Sequence, residues 1–231
     1  MTTKSTYFKL DEISPLNEKV NISNFKGWSG LAITKFHMSE NSVIDSEEIS
    51  FKFPLLNNKE KIFVVIKGSV NFCNNDQKKI LNNFDAVDFV SGIQKFQITS
   101  NQKTILYMVS SEKSKPLNEK TNYFSFLKDI KPRDLWGGQI ISRPYEGKEI
   151  TLVLFDLKAG FKFNDKGHPN EQITWLTNGK MNFYANNQKD TLLENYGISI
   201  GPNHIHGGMS EGAIGFDAFF PKRDEEKYRK N

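Results

Sequence analysis

The chain has 231 residues, enough for two domains of ordinary size or one large β domain, and its 13% aromatic content with short apolar runs favours strands over long helices. Its 31 basic and 27 acidic residues are interleaved without a basic stripe, which argues against a nucleic-acid partner despite the formal net charge of +4. No apolar run reaches the roughly 20 residues of a membrane-spanning helix, and no apolar segment follows Met1, so neither a membrane anchor nor a secretory signal is expected.

The first clearly predicted elements lie between residues 60 and 90. Segment 60–72 (EKIFVVIKGSVNF) reads as a strand, a glycine turn and a second strand. A polar hairpin at Asn74 and a further strand follow it. This succession predicts an antiparallel sandwich or barrel. Two nearby residues, His37 and Cys73, are interpreted as structural, and the lone cysteine fits a reducing, cytoplasmic location.

A polar, proline-bearing segment, 110–121, separates this region from the rest of the chain. Beyond it, segment 171–183 (EQITWLTNGKMNF) repeats segment 60–72, with Glu, Ile, Gly, Asn and Phe at the same spacing and an offset of 111 residues. Such self-similarity indicates two copies of one domain-sized unit. We therefore predict an all-β chain with an N-terminal domain at residues 1–112 and a C-terminal domain at residues 113–231.

Histidines concentrate in the second copy. His168 precedes Gln172 by four residues, at the start of a predicted strand. His204 and His206 are separated by one residue, so both side chains leave the same face of an extended segment. Imidazole nitrogens and an amide oxygen that point into one barrel are suited to a divalent transition metal.

Two segments carry a family resemblance. Segment 167–179 (GHPNEQITWLTNG) resembles the first cupin motif, and segment 197–207 (GISIGPNHIHG) resembles the second. The chain is similar to bicupins, among them the isomerases of the bacilysin pathway, which also resemble it at 129–135 and 219–223. The resemblance implies two tandem antiparallel cupin barrels, also called jelly rolls or double-stranded β-helices.

Carried over by position, the metal ligands of the family fall on Lys166, His168, Gln172 and His206. A protonated lysine offers no lone pair, so Lys166 departs from the family pattern. Three alternatives remain open: the other three residues hold the metal, His204 substitutes for the missing ligand, or the site is metal-free and Lys166 binds an anionic substrate. The resemblance leaves the metal open among Fe, Mn, Ni, Zn and Co.

The corresponding positions of the first copy are Leu55, Asn57, Lys61 and Phe96. Leucine and phenylalanine cannot bind a metal, so we expect this barrel to lack a site and to be plugged by Leu55 and Phe96. Its expected roles are packing, dimerisation or shaping the entrance of the other barrel.

The resemblance implies a metal-dependent isomerase, or another proton-transfer enzyme, acting on a small keto acid or sugar derivative. His204 or Glu171 would shuttle the proton, and Lys166 would anchor a carboxylate. A non-catalytic small-molecule-binding or accessory bicupin and an Fe(II) dioxygenase are the alternatives. The expected partner is a small-molecule substrate, with the protein a monomer or a homodimer.

Overall fold

A computed structural model describes residues 5–11, 13–74, 77–90, 95–113, 115 and 120–224. Antiparallel strands make up nearly all of its regular structure, which confirms the predicted all-β class. Among these residues no helix is long and apolar enough to cross a membrane. The one α-helix in the described part of the chain, Ser46–Lys52, is capped by the Asp45 side chain.

The elements follow one another in chain order. In the first half they are β1 (Thr6–Lys9), β2 (Ser14–Asn17), β3 (Val20–Lys26), β4 (Leu31–Met38), β5 (Val43–Asp45), α1 (Ser46–Lys52), a 3-10 turn (Pro54–Leu56), β6 (Glu60–Lys67), β7 (Val70–Asn74), β8 (Gln77–Leu81), β9 (Asp85–Val90), β10 (Phe96–Ser100) and β11 (Thr104–Ser111). In the second half they are β12 (Lys120–Ser125), β13 (Arg133–Leu135), β14 (Ile140–Glu146), β15 (Thr151–Leu157), β16 (Lys162–Asp165), β17 (Glu171–Ala185), β18 (Gln188–Leu193), β19 (Tyr196–Ile200) and β20 (His206–Phe220).

The chain divides into two compact units whose limits differ from the sequence-based division at residue 112. The N-terminal unit comprises Asp11–Lys26 and Ala32–Asp129, because β12 pairs with β9 and so extends this unit past the linker. The C-terminal unit comprises Met1–Leu10, Gly27–Leu31 and Ile130–Asn231, because β1 pairs with β19. The second unit is therefore assembled from three separate stretches of the chain.

The N-terminal unit contains a seven-stranded sheet, ordered β12-β9-β6-β11-β4-β3-β2, and a four-stranded sheet, ordered β5-β10-β7-β8. Phenylalanines fill its core: the ring of Phe96 lies 5.0 Å from that of Phe89 and 5.7 Å from that of Phe72. Phe96 is buried as expected, but Leu55 is 62% exposed, so its expected role as a plug was wrong. Leu55 lies in the 3-10 turn, whose buried residue is Leu56.

Lys61 of β6 is a charged residue inside this unit. Only 2% of it is exposed, and its ammonium donates a hydrogen bond to the carbonyl oxygen of Lys59, 3.0 Å away. Lys61 lies two and four residues before the core residues Phe63 and Val65 on β6. All three side chains therefore leave the same face of the strand and point into the same interior. Burial lowers the pKa of Lys61 to about 8.

The C-terminal unit contains one nine-stranded sheet, with β1-β19-β17-β20-β15-β14-β13 as its main path, β16 paired with β20 and β18 paired with β17. Two 15-residue strands, β17 and β20, pair along most of their length and lie near the middle of this sheet. The core of this unit is apolar and includes Leu176, Phe183 and Ile198.

The repeated glycine has a positive φ in both copies, but it forms a turn between two strands only in the first. Gly68 lies between β6 and β7, whereas Gly179 lies within β17, at a shift in the pairing register with β20. Gly68 has a φ of 94°, and Gly179 has a φ of 82°. A Cβ atom on Gly179 would lie 1.9 Å from the carbonyl oxygen of Gly212, and one on Gly68 would lie 2.5 Å from Oγ1 of Thr104. Both positions need glycine for its positive φ and for the close approach of a neighbouring segment. The repeated glycine thus has the same backbone conformation in both copies.

Candidate metal centre

Three side chains of the C-terminal unit bring metal-binding atoms together. The residues are Asp165, His168 and His206. Each offers one donor atom, and the three atoms lie within 4.8 Å of one another. Asp165 ends β16 and is the cross-strand partner of His206, the first residue of β20. The strand pairing itself therefore places a carboxylate beside an imidazole.

His168 reaches this pair through a tight contact between two loops. Gly167 has a φ of 96°, and a Cβ on it would lie 2.7 Å from the backbone of Asn203. The amide of Asn203 donates to the carbonyl oxygen of His168 at 2.7 Å. As a result, the rings of His168 and His206 lie 5.4 Å apart, nearly perpendicular to each other.

A hydrogen bond orients one imidazole, and burial acts on the other. Nδ1 of His206 donates to the carbonyl oxygen of His204 at 2.9 Å, so Nε2 is the nitrogen that remains for a metal. Burial lowers the pKa of His168, which favours the neutral ring that a metal needs. Both histidines are 3% exposed, so their orientations are held by the surrounding packing.

Gln172 links the centre to a second acidic group. Its Oε1 lies 2.9 Å from Nε2 of His168, and its Nε2 donates to Oδ1 of Asp217 at 2.9 Å and to Oγ1 of Thr174 at 2.8 Å. Two ligands of one metal at right angles, with bonds near 2.1 Å, stand about 3 Å apart. The His168–Gln172 spacing therefore suits either a hydrogen bond or shared coordination.

The donor set fits a divalent transition metal. Two neutral imidazoles and a carboxylate are preferred ligands of Fe, Mn, Zn and related ions, and the amide oxygen of Gln172 adds a fourth donor. Asp165 supplies the negative charge that the expected set of His168, Gln172 and His206 lacked. Asp165 thus makes the set more favourable for a cation than the sequence indicated.

A cavity of about 410 Å³ adjoins the centre. Its walls are largely apolar and aromatic, including Trp136, Val153, Phe155, Phe161, Phe163 and Phe183. Its polar lining includes Lys162, Asp165, Gln172, Thr174, Asp217 and Arg223. This volume and this mixture of surfaces are typical of a pocket for a small molecule.

Asp217 faces this cavity from β20. Burial raises its pKa above the ordinary value, while hydrogen bonds from Thr174 and Gln172 and the charge of Arg223 act in the opposite direction. The hydroxyl of Thr174 donates to Oδ1 of Asp217 at 2.6 Å. A carboxyl group whose proton is retained more readily than usual thus lies beside the candidate ligands.

The three residues expected to handle protons or substrate lie elsewhere. Lys166 is exposed beyond the end of β16, and Asp165 rather than Lys166 joins the donor cluster. His204 contributes its carbonyl oxygen to His206, while its ring bonds to the hydroxyl of Ser5 at 3.1 Å. None of these side chains is among the described residues that line the cavity.

Glu171 has a structural partner set instead. Its carboxylate accepts hydrogen bonds from the backbone amides of Trp28 at 2.5 Å and Ser29 at 2.7 Å, and from the hydroxyls of Ser29 and Ser199. A Cβ on Gly27 would lie 2.1 Å from the same carboxylate. Glu171 is fully buried and points away from the cavity, as its neighbour Gln172 points toward it.

No protein-family model and no curated protein matches the sequence. Solved structures match it along most of its length. AerE from Microcystis aeruginosa has a TM-score of 0.74 and 14% identity, over 93% of this chain and 98% of that one.

Two further structures are similar. A Bacillus subtilis oxalate decarboxylase, described by its Mn(II) centres, has a TM-score of 0.73 and 9% identity over 96% of this chain and 78% of that one. A cupin 2 conserved barrel domain protein from Leptotrichia buccalis has a TM-score of 0.64 and 11% identity over 92% of this chain and 98% of that one. The likeness extends over both units in each case.

Proposed function

Because the chain has the fold of the two-barrel cupins, we propose that its C-terminal unit is a metal-dependent enzyme that transfers a proton next to a carbonyl group. An isomerase acting on a small keto acid is the form of this activity that the site suits best. One observation carries the proposal: the Asp165, His168 and His206 cluster adjoins a cavity that also presents Asp217.

Asp165, His168 and His206 would hold the metal, with Gln172 as a fourth donor. A divalent metal bound there supplies a Lewis acid that polarises a substrate oxygen. The presence of Mn(II) centres in the similar oxalate decarboxylase supports a metal of this class.

Asp217 is the proton-transfer residue in this proposal. Its carboxyl faces the cavity, its Oδ1 is fixed by Thr174 and Gln172, and its pKa is raised by burial. A carboxyl whose pKa is raised is better suited than an ordinary carboxyl to both accept and return a proton. In contrast to His204, Lys166 and Glu171, Asp217 lies where a bound substrate would be.

The cavity walls define the size of the substrate. About 410 Å³ accommodates a small molecule, and the aromatic side chains of Phe161, Phe163 and Phe183 offer it an apolar surface from which a bound substrate displaces water. Excluding water strengthens the interactions of the charged groups with a substrate and protects a carbanion-like species from random protonation.

The test is proton exchange in D₂O. Protein loaded with Mn(II) or Fe(II) is incubated with a panel of small keto acids, and the carbon-bound protons next to the carbonyl are followed by NMR. We expect enzyme-dependent exchange that Asp217→Asn abolishes while metal content is kept. Asp156→Asn, an exposed residue of β15, is the matched control. Exchange unaffected by Asp217→Asn would refute the assignment.

A second activity is favoured by one feature. Two histidines and one carboxylate are the ligand set of non-haem Fe(II) oxygenases. If the protein is such an oxygenase, Fe(II)-loaded protein will consume O₂ with a keto acid present, and Asp165→Asn will stop that consumption. Measurement with an oxygen electrode separates this activity from proton exchange.

A further inference from the structure

The side chain of Arg223 presents a positive charge to the cavity, and its position is fixed by contacts within the protein. Arg223 lines the cavity together with Asp165 and Gln172. The carbon at the centre of its guanidinium lies 3.7 Å from the centre of the Phe219 ring, in a cation-π contact. Phe219 is only 1% exposed, so the surface on which the guanidinium rests is itself immobile.

The backbone of Arg223 is equally constrained. Its amide donates to Oγ1 of Thr151 at 2.9 Å, and this hydroxyl donates back to the carbonyl oxygen of Arg223 at 3.2 Å. Just before it, the carbonyl oxygen of Pro221 accepts a hydrogen bond from Asn170 at 2.7 Å. A side chain held at both ends loses little freedom on binding a ligand, which increases affinity.

Arg223 also lies close to the candidate metal centre. Phe219, which contacts the guanidinium of Arg223, also contacts His168: the two rings lie 5.4 Å apart. Phe219 therefore contacts both the guanidinium and a candidate metal ligand.

The net charge around the cavity favours an anionic ligand. The charged residues among its described lining are Lys162, Asp165, Asp217 and Arg223. With a divalent cation at Asp165, the two basic side chains and the metal outweigh the two carboxylates, so the charge balance at the cavity is positive. A planar guanidinium with parallel N–H groups matches a carboxylate in particular.

We propose that Arg223 forms a carboxylate-binding subsite of this cavity, holding the acid group of the substrate while its carbonyl oxygen faces the metal centre. This inference rests on the proposed function for the identity of the reacting group. Binding of a carboxylate by Arg223 does not require proton transfer, so the test measures ligand binding.

The probe is pyruvate, titrated into the full chain by calorimetry at constant ionic strength, with Mn(II) bound. We expect Arg223→Gln to weaken pyruvate binding at least tenfold with unchanged metal content, and Arg223→Lys to weaken it less, because a lysine keeps the charge but not the paired donors. Lys222→Gln, an exposed neighbour outside the cavity lining, is the control and should bind as the parent does.

A neutral probe separates recognition of the carboxylate from general damage to the cavity. Methyl pyruvate should bind the parent and Arg223→Gln with the same affinity. Equal loss of both probes would show a collapsed cavity and overturn the proposal, as would a parent that does not bind pyruvate. A loss that follows Lys162→Gln instead of Arg223→Gln would also overturn it.

The same titration on chelator-treated protein keeps the two proposals apart. If pyruvate binding depends on Arg223 but is insensitive to metal, and no proton exchange occurs, the proposed function fails and the subsite stands. If proton exchange proceeds normally in Arg223→Gln with unchanged pyruvate affinity, the function stands and the subsite is wrong.

Discussion

Asp165 and His206 are directly opposed across the antiparallel pair of β16 and β20, and this register places the carboxylate of one beside the imidazole of the other. Cross-strand neighbours of this kind are held by the backbone ladder. The two donors therefore keep their spacing whether or not His168 is in place.

Metal content should depend on Asp165 and not on the residue next to it. Asp165→Asn removes the only charge among the candidate ligands, so we expect metal content after dialysis to fall at least tenfold. His206→Ala should have the same effect with a small stability cost. The measurement is elemental analysis of purified protein.

Lys166 provides the matched control for this prediction. Because Lys166 is exposed and outside the donor cluster, Lys166→Ala should keep the metal. For the same reason Lys166→His, which restores the ligand pattern of the family, should not tighten metal binding. Tighter binding by Lys166→His would mean that Lys166, and not Asp165, occupies the ligand position.

The N-terminal core should be sensitive to Phe96 and insensitive to Leu55. Phe96 is 3% exposed and packs on three phenylalanine rings, so Phe96→Ala should lower the free energy of unfolding by about 3–5 kcal/mol. Leu55 is 62% exposed, so Leu55→Ala should change it by less than about 0.5 kcal/mol. Urea denaturation followed by fluorescence compares the two, and equal costs would contradict the described packing.

Lys61 should make stability depend on alkaline pH. Its pKa is about 8 in the folded protein, against an ordinary value of 10.5, so between these pH values the unfolded chain binds more protons than the folded one. The free energy of unfolding therefore rises as pH increases from about 8 to about 10.5. Lys61→Met should flatten this rise and should stabilise the protein at pH 7 by an amount on the order of 3 kcal/mol.

Thermal unfolding between pH 7 and 10 measures this effect. Lys67→Met, an exposed position on the same strand, is the control and should keep the pH dependence of the parent. A parent whose melting temperature does not respond to pH in this window would contradict the assignment to Lys61.

Glu171 should be required for folding and not for proton transfer. Glu171→Gln leaves an amide facing the backbone N–H groups of Trp28 and Ser29, so we expect a loss of about 2–4 kcal/mol in the free energy of unfolding. Below its melting temperature the variant should exchange substrate protons at the parent rate. Retained stability with lost exchange would instead support Glu171 as the general base.

The repeat explains how much of this fold can be read from the sequence. Gly68 and Gly179 both have a positive φ, and this local requirement explains why glycine occurs at the same place in both copies. The proximity of His168, Gln172 and His206 likewise follows from short motifs. Residues whose geometry is determined within a few positions are therefore predictable.

Asp165, Asp217 and Arg223 were missed for a physical reason. Asp165 shares a face with Phe163, while Lys162 and Asn164 are exposed; this alternation in β16 was the one signal that could have found it. The positions of Asp217 and Arg223 depend on the pairing of β17 with β20 and on the contact of Arg223 with Thr151, far away in sequence. Local patterns do not encode such pairings.

The three-part composition of the C-terminal unit has a consequence for its synthesis on the ribosome. Its first strand, β1, emerges early, yet the partner strand β19 and the carboxylate that binds Gly27–Leu31 appear only after residue 170. The stretches of the N-terminal unit are complete at Asp129. That unit can thus fold first. Strand β1 stays unpaired until β19 has been synthesised, when nearly the whole chain has been translated.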